Sequence, residues 1–422
     1  MLHRSQLHGS LADPAMTSMN LLNEISIRYP EAVSFAAGRP AEQFFDLDAV
    51  HAYLDRYLDH LQKERGLPPE AARRQVLQYG RTKGIIHELI ATHLAVDEGI
   101  EVPAESIVVT VGCQEAMFLV LRALRGGPED VVLAVSPTYV GLTGAALLAD
   151  LPVRPVADGP DGVDLADLRR VLAATRAEGL RPRALYLVPD VANPSGASLP
   201  LALRHELLAL AGAEDFLLLE DNPYCVFGGA ERLPSLKALD TERRVIHLGS
   251  FAKTAIPGAR VGYVVADQPV SDGAGSTDLL ADLLGMIKSM TTVNTSPIAQ
   301  AVIGGALLTH DHSLRAANTE VAALYRRNLA LVLDGLARRF PPGNGVTWNE
   351  PRGGFFLVLT VPRVVDDALL ELSASQYGVI WTPMCHFYPG AGGEHQLRLS
   401  VSQVDPDTVD LGLDRLAALL AS

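Results

Sequence analysis

The sequence predicts an α/β protein with a large domain on a mainly parallel sheet and a smaller α+β domain after it. Strand-length apolar runs alternate with helical stretches from Ile107 to about Val265, which is typical of a parallel sheet covered by helices. After Pro341-Pro342-Gly343 the pattern changes to shorter strands and a closing helix. The length of 422 residues exceeds one ordinary hydrophobic core, so two domains around a shared cleft are expected.

Local patterns predict the elements in order. The first 45 residues read as an extended arm with a partial strand at 32–35. From Phe45 an amphipathic helix is expected, because apolar residues recur at helical spacing at Leu47, Val50, Leu54, Leu58 and Leu61. Strands are predicted at 107–111, 131–135, 153–156, 184–188, 216–220, 245–248 and 261–265. Helices from 279 to 339, broken near 291–297, precede strands at 346–348, 355–359 and 397–401 and a helix over 405–420. We therefore expect an arm at 1–45, a large domain at 46–300 and a small domain at 301–422.

Composition excludes several classes of function. The net charge of −14 argues against nucleic acid or an anionic membrane as a partner, because either would require a basic surface. Three widely spaced cysteines, Cys113, Cys225 and Cys385, suggest neither a disulfide framework nor a metal site, and no metal is assigned. The N-terminus lacks the apolar core of a signal peptide, and no apolar window is long enough to span a membrane. A cytoplasmic protein is expected.

One lysine lies in a context that indicates covalent cofactor chemistry. Lys253 follows the apolar run 245–248 in a turn of small residues. Its amine can condense with an aldehyde, while Ser250 and Arg260 supply the hydroxyl and guanidinium groups that bind a phosphate dianion. The combination suggests pyridoxal 5′-phosphate, with Lys253 as covalent anchor and general base. For this run alone, a surface turn that happens to carry Lys and Arg is the alternative.

Companion residues decide between those interpretations. Asn193 follows the strand at 184–188, and Asp221 and Tyr224 follow the strand at 216–220. In open α/β sheets, residues at the carboxyl ends of successive strands converge on one site, so these three and Lys253 are expected to surround one ring. An aspartate facing the pyridine nitrogen keeps it protonated and makes the ring an electron sink.

The run from Gly249 to Tyr263 closely resembles the cofactor-lysine motif of the class I/II aminotransferases, the aspartate-aminotransferase-like or fold-type I group. The resemblance covers essentially the whole chain beyond residue 20. It implies an aspartate-aminotransferase-like large domain, an arm that packs with the small domain, and a homodimer with its sites at the interface. The resemblance also implies roles for further residues, namely phosphate binding by Gly112, Cys113 and Gln114, ring stacking by Tyr139, contact with the neighbour's phosphate by Tyr79, and substrate binding by Gly38 and Arg398.

The substrate follows less directly from the sequence. Met384 and Phe387, with Phe355 and Phe356 on the same face, predict an apolar side-chain pocket and hence a bulky or aromatic substrate. His386 is a candidate donor to a polar substituent. The local sequence around these residues resembles that of the aminotransferases that make hydroxyphenylglycine and dihydroxyphenylglycine in peptide antibiotic pathways. Arg39, Arg81 and Arg352 are open candidates for reading a second carboxylate.

The resemblance therefore implies transamination between an amino acid and a 2-oxo acid. The alternative is another reaction in the same pocket, namely elimination or replacement, carbon–carbon bond formation or O₂-dependent oxidation, because the cofactor performs the difficult chemistry and small changes around it choose the bond. A transcription-regulator effector domain is disfavoured, because a basic DNA-binding module is not expected within the first 45 residues.

Overall fold

A computed structural model describes residues 2–159, 161–229 and 232–422. The α-helices are α1 Ala15–Arg28, α2 Leu47–Asp59, α3 Pro69–Leu77, α4 His87–Glu98, α5 Gly112–Leu124, α6 Val140–Leu148, α7 Leu165–Ala177, α8 Leu201–Ala213, α9 Leu236–Leu239, α10 Leu280–Thr291, α11 Pro297–Thr309, α12 Leu314–Ala317, α13 Thr319–Arg339, α14 Asp367–Leu372 and α15 Pro406–Ala421. The strands are β1 Val33–Ser34, β2 Ile107–Thr110, β3 Asp130–Ser136, β4 Val153–Ala157, β5 Arg181–Leu187, β6 Leu217–Asp221, β7 Val245–Ser250, β8 Gly262–Val265, β9 Pro269–Ser271, β10 Thr277–Leu279, β11 Thr347–Trp348, β12 Phe356–Thr360, β13 Val379–Ile380, β14 Thr382–Pro383 and β15 Gln396–Ser400.

A seven-stranded sheet organises the first two thirds of the chain. Its order is β2-β8-β7-β6-β5-β3-β4, and each of the seven strands matches one predicted from the sequence to within a few residues. The β3, β4, β5, β6 and β7 strands run parallel, whereas β8 is antiparallel to both of its neighbours. The predicted α/β class with a mainly parallel sheet is confirmed.

The two faces of the sheet carry different side chains, because successive residues of a strand alternate between faces. On one face Tyr186, Leu219 and Ile246 pack with α5 and α6 residues in a common core. On the other face Glu220 lies opposite His247 in the register of β6 and β7, and Nδ1 of His247 is 3.0 Å from Oε2 of Glu220.

The C-terminal third contains a second, antiparallel sheet in the order β11-β12-β15-β14. Near the N-terminus, β1 pairs in parallel with β13, and Phe35 is buried in the same apolar core as Trp381 and Leu399. This contact agrees with the expected packing of the arm, while the boundaries 46–300 and 301–422 stay predictions.

Three expectations about elements are corrected. The first 45 residues are not an extended arm throughout, since α1 spans Ala15–Arg28, a stretch without internal proline or glycine. The apolar pattern predicts a helix over 115–124 after a tight turn at 112–114. The helix α5 instead begins at Gly112, so the residues expected in the turn form its first turn. The helical region after 279 has a second break between α11 and α13, where Asp311 and His312 adopt positive φ.

Within the described residues, no helix is both long enough and apolar enough to cross a membrane.

Candidate active site

The buried carboxylate of Asp221 lies at the carboxyl end of β6, in the middle of the large sheet. Tyr186 of β5 pairs in register with Leu219, so Asp221 lies on the same face two residues further on. The Tyr186 hydroxyl donates to Oδ2 of Asp221 at 2.6 Å, and the Cys113 thiol donates to Oδ1 at 3.3 Å. Burial raises the pKa of Asp221 above its usual value, and these two hydrogen bonds oppose that rise.

The start of α5 provides an anion-binding position beside this carboxylate. Gly112 has φ +71°, and a Cβ on it would lie 2.5 Å from Nη2 of Arg260, so both conformation and space require glycine there. The guanidinium of Arg260 thus lies directly over the first turn of the helix, whose free N–H groups attract anions. No carboxylate of the described residues lies within ion-pair distance of Arg260, which leaves its charge available for an anion.

Lys253 lies in the turn after β7, and it is partly buried. Nζ donates to the carbonyl oxygen of Gly38 at 2.6 Å and lies 5.7 Å from the ring centre of Tyr224. Burial lowers the pKa of Lys253 to about 8, and the charges of Arg398 and Arg260 act in the same direction. A substantial fraction of this amine is therefore neutral near physiological pH, as a nucleophile or general base requires.

Arg398 on β15 is buried and unmatched by a negative charge. Its guanidinium stacks on the rings of Phe356 and Phe387, at 4.2 and 4.9 Å from their centres. It donates from Nη1 to Oδ1 of Asn193 at 2.5 Å and from Nη2 to the carbonyl oxygen of Ala36 at 2.9 Å. Among the described residues Nε has no hydrogen-bond partner, and no carboxylate lies within ion-pair distance. Burial lowers the pKa of Arg398 to about 10, so it is still cationic at neutral pH.

Aromatic side chains enclose the same region. Tyr139 immediately precedes α6 and packs against the core that Met384 and Phe387 form with Val140. Tyr224 is buried, with its ring edge-on to Phe355 and Phe356. Burial raises the pKa of Tyr139 to about 12, so this phenol is protonated at neutral pH.

Gln114 and Ser250 complete the neighbourhood. Nε2 of Gln114 donates to the carbonyl oxygen of Gly141 at 2.7 Å, which ties the first turn of α5 to α6. Ser250 ends β7, and its Oγ accepts from the backbone N–H of Ala252 at 3.2 Å, so the hydroxyl proton is free of that bond.

These groups fit the pyridoxal phosphate that the sequence predicts. The helix start under Arg260 suits a phosphate, Asp221 suits the ring nitrogen, and Lys253 suits the aldehyde carbon. The unpaired Arg398 suits a substrate carboxylate. The roles of the individual residues stay predictions.

Several candidates lie elsewhere in the single chain. Tyr79 is 82% exposed, as a residue that reaches a neighbouring subunit requires. Arg81 forms a two-point ion pair with Glu105, with Nη2 3.0 Å from Oε2, so its charge is already matched. Arg352 is exposed and lines a separate cavity of about 290 Å³ with Arg232 and Arg315.

The structure also places Arg39 and His386. Arg39 is exposed, yet close enough for its charge to lower the pKa of Lys253. His386 turns towards Asp367, with Nε2 2.7 Å from Oδ1. Met384 is buried, as an apolar pocket residue requires.

Sequence reasoning missed Tyr186. It lies within the predicted strand at 184–188, before Asn193, and the local pattern there predicts only a strand. The feature that could have identified it is its position. A tyrosine on the strand next to that of Asp221, and on the same face of the sheet, has the carboxylate within reach of its hydroxyl. The exact register, which the sequence does not contain, decides whether the two groups meet.

Comparisons with known proteins agree with this geometry. A family model described as aminotransferase class I and II matches residues 46–416. The chain is 56% identical over 421 residues to (S)-3,5-dihydroxyphenylglycine transaminase of Amycolatopsis orientalis, covering 100% of this chain and 95% of that protein. The fold matches a kynurenine aminotransferase of Pyrococcus horikoshii, solved with PMP, at a TM-score of 0.82 and 26% identity over 100% and 97% of the two chains. It matches an α-aminoadipate aminotransferase of Thermus thermophilus, solved with N-(5′-phosphopyridoxyl)-L-leucine, at 0.77 and 28% identity over 98% of each.

Proposed function

Because this chain belongs to the class I and II aminotransferases, we propose that it transfers the amino group between an arylglycine and a 2-oxo acid. The chain is a pyridoxal-phosphate-dependent transferase of fold type I. Its relative of 56% identity is a transaminase, so elimination, carbon–carbon bond formation and oxidation are not favoured. A place in specialised metabolism is part of the proposal.

The cofactor phosphate is held at the start of α5. Gly112, Cys113 and Gln114 hold the phosphate with backbone N–H groups, and Arg260 and Ser250 add a charge and a hydroxyl. When bound, pyridoxal phosphate supplies an aldehyde for a covalent link to an amine and a ring that withdraws electrons from the carbon losing its proton.

Lys253 anchors the cofactor and, once displaced, carries the proton away from the substrate Cα, for which a lowered pKa is the requirement. Asp221 stabilises the proton on the ring nitrogen, while Tyr139 covers the ring. Tyr224 and Asn193 flank it.

The observation that carries the proposal is Arg398. A buried guanidinium without a negative partner is costly, and a carboxylate ligand removes that cost by accepting two parallel hydrogen bonds. Because Phe356 and Phe387 stack on the guanidinium, the group bound next to the carboxylate meets aromatic surface. An arylglycine places its ring one bond from the same Cα that bears the carboxylate, which suits this arrangement.

A half-reaction screen tests the proposal. The holoenzyme is mixed with 3,5-dihydroxyphenylglycine, 4-hydroxyphenylglycine, phenylalanine, glutamate and arginine, with and without O₂, and pyridoxamine phosphate and keto acid are measured. We expect both products together, fastest with the arylglycines, and neither from Lys253→Ala. Rapid conversion of glutamate or arginine with none of the arylglycines contradicts the proposal, as does keto acid that forms without pyridoxamine phosphate.

We also propose a homodimer in which Tyr79 reaches the partner's phosphate site. Support comes from the exposure of the large apolar side chains of Tyr79, Met290 and Val293 in the single chain, because residues of these types are usually buried. Sedimentation of the wild type and of Met290→Asp measures the mass. A wild-type monomer at micromolar concentration contradicts this proposal.

A further inference from the structure

The carboxylate of Asp221 is held from two sides by unequal donors. A phenol at 2.6 Å is a strong donor to an ionised oxygen, whereas a thiol at 3.3 Å is a weak one. The two donors also use different oxygens, because Tyr186 bonds Oδ2 and Cys113 bonds Oδ1. The aspartate therefore has one oxygen that is firmly engaged and one that is readily available.

The rigidity of this arrangement comes from the sheet. Tyr186 is only 1% exposed and packs in the core between the sheet and α5. Its strand pairs with β6 from Ala184 to Leu187, which fixes the phenol relative to the end of β6. A donor held this firmly loses little entropy when it orients its acceptor.

We propose that Tyr186 is a positioning residue, whose hydroxyl fixes Oδ2 of Asp221 so that Oδ1 faces the ring nitrogen of the cofactor. The inference rests on the proposed role of Asp221 and deepens it. The weak thiol bond leaves the second oxygen with a lone pair for the ring N–H. A donor as strong as a hydroxyl at both oxygens would compete with that bond.

Other charged and titratable groups also act on Asp221. His247, on the opposite face of the sheet, and Lys253 after β7 lower the pKa of Asp221 through their charge, but among the described residues neither forms a hydrogen bond to it. The phenols of Tyr139 and Tyr224 interact with it electrostatically, without a hydrogen bond to it in the described chain. Among the described residues, Tyr186 is therefore the group whose removal leaves Oδ2 of this buried carboxylate without its donor.

The test removes this single hydroxyl. In Tyr186→Phe the ring and its packing are kept, while Oδ2 of Asp221 loses its partner. Because hydrogen bonds to charged groups are stronger than those between neutral groups, apo-protein titrations should show cofactor bound about tenfold more weakly. NMR of ¹⁵N-labelled cofactor should show the ring nitrogen losing its proton at lower pH. kcat should fall with KM little changed.

Matched variants separate positioning from a general effect. Tyr57 is equally buried, and its hydroxyl donates to the backbone carbonyl of Ile85 at 3.2 Å. Tyr57→Phe should therefore leave the cofactor affinity and kcat within about twofold of the wild-type values. In an Asp221→Asn background, Tyr186→Phe should add less than about twofold, because its effect passes through Asp221.

The outcomes are distinguishable. If Asp221→Asn leaves the ring-nitrogen titration unchanged, the role of Asp221 is wrong and the inference with it. If Asp221→Asn changes it but Tyr186→Phe does not, or if Tyr186→Phe acts equally in both backgrounds, the role of Asp221 stands and that of Tyr186 is overturned.

Discussion

Replacing Lys253 with methionine should stabilise the apo-protein at neutral pH, although it removes the proposed catalytic group. The lysine is partly buried near the positive charges of Arg398, Arg260 and Arg39, and desolvation together with these charges lowers its pKa from 10.5 to about 8. At about 1.4 kcal/mol per pH unit, holding a proton on this amine costs the folded state about 3 kcal/mol. Methionine has a similar length and carries no charge.

The lost hydrogen bond to Gly38 offsets part of this gain, by about 1 kcal/mol, so a net stabilisation of about 2 kcal/mol is expected at pH ~7. The sign depends on pH in a defined way. Because the folded pKa is depressed, the cost is complete below about pH 8 and disappears as the pH rises towards 10.5. The advantage of Lys253→Met should therefore shrink to a few tenths of a kcal/mol by pH ~9.5.

Urea unfolding of the apo-proteins at matched chain concentration, at pH ~7 and pH ~9.5, measures both quantities. Lys63→Met is the control, because Lys63 is 73% exposed and its replacement should change stability by less than about 0.5 kcal/mol at either pH. A Lys253→Met protein that is less stable than wild type at pH ~7, or that differs from it equally at both pH values, refutes the reasoning.

Three further outcomes follow from the site. Asp221→Ala should lower kcat by about 10²–10⁴-fold while some cofactor still binds, because preorganised charge at a reacting ring contributes several kcal/mol; near-normal turnover in steady-state assays contradicts this. Arg398→Lys should raise KM for both amino and 2-oxo acids by about tenfold or more, since a lysine cannot form the two parallel bonds to a carboxylate; an unchanged KM contradicts the assignment. Gly112→Ala should weaken cofactor binding in apo-protein titrations by displacing Arg260, whereas Gly144→Ala on α6, where a Cβ has open space, should not; equal affinities in the two variants count against the phosphate site.

The sequence contains most of the site because its residues occur where strands end. Lys253 and Asp221 each follow an apolar run of strand length, and topology alone brings such ends together. The direction of β8 was not predicted, since an alternating pattern carries no direction. The connection from β7 to β8 nevertheless spans only residues 251–261, which is too short for the crossover that a parallel return needs.

Pairwise contacts were harder to foresee. The Tyr186 hydroxyl meets Asp221 only in the register that pairs Tyr186 with Leu219, and a shift by one residue would direct the phenol to the other face. The partnership of Arg398 with Asn193 joins residues 205 positions apart and depends on how the two sheets meet. Neither contact leaves a local pattern in the chain.

The neighbouring carboxylates at the end of β6 limit which insertions and deletions the protein can tolerate. Asp221 faces Tyr186, while Glu220, one residue earlier, faces His247 on the opposite side of the sheet. Inserting one codon before Glu220 within this strand would move the longer side chain of Glu220 into the position of Asp221, whereas deleting one would move the shorter side chain of Asp221 opposite the histidine. Libraries made by recombination or loop grafting should therefore tolerate length changes between strands, but not within this five-residue segment.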